Sequence, residues 1–145
     1  MSDLFKKILI ATDGSQYTQG AIDEGLALAR FHGAKVLVAY VIDTMALTSA
    51  TGLGSPENIY EVLEKEGKDA VRDVKERARG LDVETAVLQG HPAHAIIQFA
   101  QQKGVDLIVV GSLGKSGIEE FLLGSVADKV IRHASAPVLV VRGKK

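Results

Sequence analysis

The stretch Leu107-Ile108-Val109-Val110-Gly111-Ser112-Leu113-Gly114-Lys115-Ser116-Gly117, continuing through Ile118 to Leu123 and into Gly124-Ser125-Val126, decides how the rest of the chain is read. Its first four residues are an unbroken apolar run rich in β-branched side chains, the composition of a strand buried on both faces of a parallel sheet. Gly111 therefore sits at the carboxyl end of a buried strand, where open α/β sheets receive their ligands. The glycines let backbone N–H groups approach an anion with no Cβ in the way. Gly124 and Ser125 then open a helical stretch, Val126 to His133, whose first N–H groups lack intrahelical partners and carry the positive end of the helix dipole. Phosphate is the natural occupant of such a place.

Two familiar phosphate loops are excluded by position. Gly114-Lys115-Ser116 has the ending of a P-loop, but that motif needs a glycine where Val109 stands. A Rossmann fingerprint would follow the first strand and carry a third glycine three residues after its second. What remains is a spacing of its own: Gly111, two residues, Gly114, nine residues, Gly124, then the hydroxyl of Ser125.

With that spacing the chain resembles the universal stress proteins, in particular the branch that binds ATP through a Gly-x2-Gly-x9-Gly-Ser/Thr motif. The resemblance covers essentially the whole sequence. It includes Ile8-Leu9-Ile10-Ala11-Thr12-Asp13-Gly14-Ser15, the strand Val36 to Val41, the Gly111 to Ser125 motif and Pro137-Val138-Leu139-Val140-Val141. Leu113 departs from it, standing where many relatives carry histidine or arginine.

The length of 145 residues favours one domain over residues 1–145, long enough to bury roughly two-thirds of its unfolded surface. A net charge of -1 provides no field to attract nucleic acid or an anionic membrane, so partners are to be found by local sites. With no cysteine there are no disulfides, thiolate metal sites or cysteine nucleophiles, which suits a reducing cytoplasm. Met1 to Lys7 reads as neither signal peptide nor anchor, and no later apolar run approaches the ~20 residues a bilayer requires. The expected location is cytoplasmic.

Strand and helix periodicities alternate along the chain. Lys7 to Ala11 reads as a first strand and Gln16 to Phe31 as a helix that packs Ala21, Leu26, Leu28 and Ala29, with Ser15 as its N-cap and Gly33 at its end. Lys35 to Ile42 is a second buried strand, and Thr44 to Ser55 a flexible loop. Pro56 starts a helix to about Arg79 whose apolar stripe is Ile59, Val62, Leu63, Ala70, Val71, Val74 and Ala78. Val83 to Leu88, with Glu84 and Thr85 among apolar residues, reads as a less buried edge strand. A helix from Pro92 to near Lys103, a fourth strand at Leu107 to Val110 and a fifth at Pro137 to Arg142 complete the set. The fold class is α/β, a three-layer, doubly wound, five-stranded parallel sheet, and the resemblance implies the order 3-2-1-4-5.

In that order strands one and four are neighbours, so Ala11, Thr12 and Asp13 leave the sheet beside the Gly111 loop at the topological switch point. Asp13 has two readings. It binds Mg2+ or accepts from a nucleotide hydroxyl, or else it caps the first helix; in the resembling family the matching aspartate lies in the nucleotide site. Tyr40 to Asp43 offer an apolar slot for adenine, with Val41 the residue implied by the resemblance and ordinary core its alternative. Val110, Gly111, Ser112, Gly114, Gly124, Ser125 and Val126 make up the cradle, and Lys115 and Ser116 are within reach of phosphate oxygens. Ser125 either caps its helix or meets phosphate. His91 and His94 flank Pro92 with no carboxylate at ligand spacing and read as surface or capping residues.

These residues imply an ATP-binding regulatory or protective factor whose output depends on nucleotide occupancy and on a protein partner. The alternative is a slow Mg2+-dependent ATP hydrolase. Fast phosphoryl transfer needs positioned charge and a group orienting the nucleophile, for which only Lys115 and Asp13 stand ready. The fifth strand is an edge without protecting charges or bulges, Pro137 standing only at its start. A two-fold partner presenting the same strand would cover it, and homodimers of the resembling family use this strand; a helix or the tail Gly143 to Lys145 is the other candidate cover.

Overall fold

The computed structural model describes residues 4–45, 56–113 and 123–142. Buried β-branched runs form the middle of a parallel sheet: β1 (Lys7–Ala11), β2 (Lys35–Asp43) and β4 (Leu107–Gly111). Edge strands β3 (Val83–Gly90) and β5 (Val138–Val141) flank them in the order β3-β2-β1-β4-β5. Every pairing is parallel, with Ile8 opposite Val36 on one side and Leu107 on the other. The two-residue period of the strands divides the core between two faces. Ile8, Ile10, Val36 and Val38 pack beneath α1 (Gln19–His32) and α2 (Pro56–Arg77). Leu9, Leu37, Ala39 and Ile108 pack beneath α3 (Pro92–Lys103) and α4 (Ser125–His133).

Gly33 and Gly104 end α1 and α3 in the left-handed conformation, φ 65° and 63°, as their positions after the last periodic residue predict. β3 has no fully buried residue, in keeping with its mixed composition and edge position.

Several boundaries differ from the sequence reading. The helix expected from Gln16 starts as a 3-10 turn, Gln16–Thr18, and α1 begins at Gln19. The Thr18 hydroxyl donates to the Ser15 carbonyl at 3.0 Å, tightening that turn by a local side-chain bond. Ser15 caps nothing with its side chain, and Asp13 lies too far upstream to cap α1. The cap position of α4 belongs to Gly124, so Ser125 is its first helical residue. Val62, placed in the apolar stripe of α2, is 65% exposed; the residues that reach the core are Tyr60, Leu63, Ala70, Val71 and Val74, with Ala78 just past the helix end. Gly114, Lys115, Ser116, the tail 143–145 and most of the loop after Asp43 lie outside the described residues.

Among the described residues, no helix is long and apolar enough to cross a membrane, and no group of three or more His, Asp or Glu side chains is arranged to hold a metal ion.

Candidate functional site

The carboxyl ends of β1, β2 and β4 open onto one cavity of about 320 Å³. Of the residues singled out in the sequence, Ala11, Thr12, Asp13, Val41, Val110, Gly111, Ser112, Gly124, Ser125 and Val126 all line it. The wall is completed by Asp43, the last residue of the Tyr40 to Asp43 slot, and by residues the sequence reading left out, chiefly Leu63 of α2 and Pro92 and Ile96 of α3. Leu63 and Ile96 sit in ordinary helical stripes, and only the folded chain reveals that the same faces overhang a cavity. Asp43 did carry a signal: it is the one acidic residue in the otherwise apolar run Val36 to Asp43.

The wall from β1 is held by a chain of hydroxyl bonds. The Gly14 N–H donates to Thr12 Oγ1 at 3.1 Å, and Thr12 Oγ1 lies 3.2 Å from Thr18 Oγ1, with both threonines buried. Thr18 spends its proton on the Ser15 carbonyl, so Thr12 donates to Thr18. Asp13 Oδ1 accepts the Ser15 N–H at 2.9 Å, an Asx turn that orients the carboxylate from one side. Its other oxygen has no hydrogen-bond partner among the described residues.

Gly111 joins this wall to the next. A Cβ there would stand 3.1 Å from the Tyr17 carbonyl oxygen and 3.6 Å from Thr18 Cα, so the glycine admits the 3-10 turn against the end of β4. Its φ is not in the left-handed region, so close approach is the reason for the residue type. The sequence reading assigned the same glycine to anion approach; in the fold its missing side chain faces backbone. Beyond it, the Ser112 N–H donates to the Val141 carbonyl, extending the β4–β5 ladder.

The third wall is the start of α4. The Gly124 N–H donates to the Ser112 carbonyl, and the first intrahelical bond runs from Asp128 N–H to the Gly124 carbonyl at 3.0 Å. The N–H groups of Ser125, Val126 and Ala127 are therefore the orphan donors of the helix, and all three residues line the cavity. Elsewhere on α4, Lys129 Nζ lies 3.2 Å from His91 Nε2, with the ammonium as the donor. His91 occupies the cap position of α3 without a side-chain cap bond, and His94 is exposed.

The cavity thus has a polar end, made of helix donors and the Asp13 turn, and an apolar end between Val41, Leu63 and Ile96. A ligand with an anionic group and a flat apolar body suits both ends.

The profile of the Universal stress protein family matches residues 4–142 of this chain. The chain belongs to that family. Among its relatives is Universal stress protein MJ0531 of Methanocaldococcus jannaschii, 43% identical over 145 residues, with 99% of this chain and 85% of the relative covered. Hypothetical protein MJ0577 of the same organism has a solved structure that superposes with a TM-score of 0.86 at 32% identity, covering 98% of this chain and 99% of that one. A solved universal stress protein in complex with cAMP superposes with a TM-score of 0.70 at 26% identity, covering 95% and 97%. The shared five-strand order is therefore that of the universal stress protein fold.

Proposed function

We propose that this universal stress protein binds ATP in the cavity and works as a nucleotide-dependent regulatory or protective factor, not as a fast enzyme. The observation that carries the reading is the pairing, in one cavity, of three N–H groups at the start of α4 that have no partner among the described residues with an apolar slot at the end of β2. The donors and the helix dipole take phosphate; the slot beside Val41 takes adenine. A related protein in complex with cAMP supports the choice of an adenine nucleotide. The Gly111 to Ser125 spacing supports a triphosphate, with Gly114, Lys115 and Ser116 contributing further donors.

Asp13 suits a Mg2+ ion. Magnesium takes oxygen ligands, keeps several waters, and typically rests on one or two carboxylates plus substrate phosphates. One Asp13 oxygen is occupied by the Ser15 N–H, which fixes the carboxylate and leaves the other oxygen for the ion or one of its waters. Bound there, Mg2+ would neutralise phosphate charge beside the carboxylate.

Against rapid hydrolysis stands the scarcity of groups for phosphoryl transfer: no lysine or arginine is among the described residues that face the cavity, which leaves Lys115 and Asp13 as the candidates. Isothermal titration of the purified protein with ATP, with and without Mg2+, tests binding, and a turnover assay on the same sample tests hydrolysis. Binding without appreciable turnover is expected. Rapid multiple turnover would transfer the reading to the ATP hydrolase.

β5 supports a homodimer. The Ile108 N–H donates to the Pro137 carbonyl and the Ser112 N–H to the Val141 carbonyl. Alternate residues of a strand bond a given neighbour in a parallel ladder, so the N–H and C=O groups of Val138 and Val140 point to the open edge. A second copy of β5 would satisfy them isologously.

A further inference from the structure

We infer that Asp43 reads the amino edge of the base, making this site selective for a 6-amino purine over a 6-oxo purine. The inference rests on the adenine-nucleotide reading above and deepens it. Ala39 and Val41 pack on the α3 side of β2 while Tyr40 and Ile42 pack on the other. Asp43 is two residues beyond Val41, on the same face, and lines the same cavity. Asp43 therefore stands on the strand end that carries the Val41 slot, the part of the cavity assigned above to the base. The orphan donors of α4, on a different wall, take the phosphate.

The side chain is held for the task. Asp43 Oδ1 accepts the Met45 N–H at 2.9 Å, an Asx turn that fixes the carboxylate plane. The other oxygen has no hydrogen-bond partner among the described residues. Opposite Asp43 on β3 is Gly90, and no atom of the described residues lies within 4 Å of the place its Cβ would take. An ionised carboxylate only accepts hydrogen bonds. It rewards an exocyclic amine, which donates, and repels an exocyclic carbonyl, which presents lone pairs. Adenine has the first at its 6-position and hypoxanthine the second.

Asn is the discriminating substitution. Its carbonyl oxygen can keep the Met45 N–H bond while its amide presents a donor on the free side. Titration calorimetry of the wild type, Asp43→Asn and Asp43→Ala with ATP and with ITP is the experiment, with thermal melting to verify that each variant is folded. The wild type is expected to favour ATP by roughly tenfold, a modest figure for a site that recognises one N–H at a half-exposed rim. Asp43→Ala narrows that ratio towards one, and Asp43→Asn narrows it further by strengthening ITP. An ATP:ITP ratio unchanged in both variants overturns the role of Asp43 while leaving the nucleotide site standing, and that is also what a contact to the ribose would give. A wild type that binds neither nucleotide overturns the site reading and this inference with it.

Discussion

The Gly124 N–H donates to the Ser112 carbonyl, so the start of α4 is fastened to the residue that follows β4 and lies beside the ends of β1 and β4. Gly124 has φ -68° and ψ 161°, an extended conformation open to any residue. Gly124→Val should therefore fold, with a melting temperature near that of the wild type, while its side chain takes space at the phosphate end. Loss of ATP binding by calorimetry is the expected outcome; unchanged affinity would remove Gly124 from the cradle.

Ser15 carries an unused hydroxyl. Its Oγ is buried with no hydrogen-bond partner among the described residues, although its N–H and carbonyl are both engaged in the turn. A buried unpaired polar atom costs about 1–3 kcal/mol. Ser15→Ala should stabilise the protein, by about 1 kcal/mol once lost contacts are allowed for, with a higher midpoint in urea. A lower midpoint would mean that the hydroxyl has a partner in solution.

How far the sequence carried this account depends on the range over which each feature is decided. Strands β1, β2 and β4 are written in runs such as Ile8-Leu9-Ile10, and the ends of α1 and α3 in Gly33 and Gly104, because burial on two faces and a left-handed cap are local demands. The 3-10 turn was missed because it depends on which of several nearby hydroxyls bonds to which carbonyl, a choice made among Thr12, Ser15 and Thr18 in space. Val62 falls on the helical repeat but beyond the reach of the sheet, which periodicity alone does not see. In the site, the walls from β1, β4 and α4 were legible through their glycines and small polar residues. The wall from Leu63, Pro92 and Ile96 was not, since an apolar side chain over a cavity and one in a core have the same letter.

The open edge of β5 gives a test of assembly. Val140 turns its backbone groups to the edge at which no described strand pairs, and keeps its side chain half-buried against the α4 face. Val140→Lys places a charge where two edges would meet. Sedimentation equilibrium at micromolar concentration should give a dimeric mass for the wild type and a monomeric mass for the variant, with circular dichroism verifying that the variant is folded. A monomeric wild type would refute the dimer.

Glu84 fastens β3 to its neighbours, with Lys103 Nζ 2.8 Å from Oε2 and Lys35 Nζ 3.3 Å from Oε1. The hydrogen bond from Lys103 leads in holding its carboxyl below the usual glutamate value; desolvation opposes it, and Lys35 adds to the lowering. Because the folded-state value is depressed, the stabilisation is present above the unfolded value of about 4.3 and is lost as pH falls through the folded one. The side chain is 34% exposed, so screening limits the effect. Glu84→Gln should cost about 0.5 kcal/mol at pH 7 and progressively less below about pH 4. Denaturant melts across pH check this, and a cost that persists undiminished at pH 3 would assign it to packing.

The central claim is that the cavity at the ends of β1, β2 and β4 holds ATP. It is tested most directly by mass spectrometry of the small molecules released when protein purified without added nucleotide is denatured. ATP is the expected release product. Release of AMP alone, or of no nucleotide from a protein that also gives no heat on titration with ATP, would contradict it.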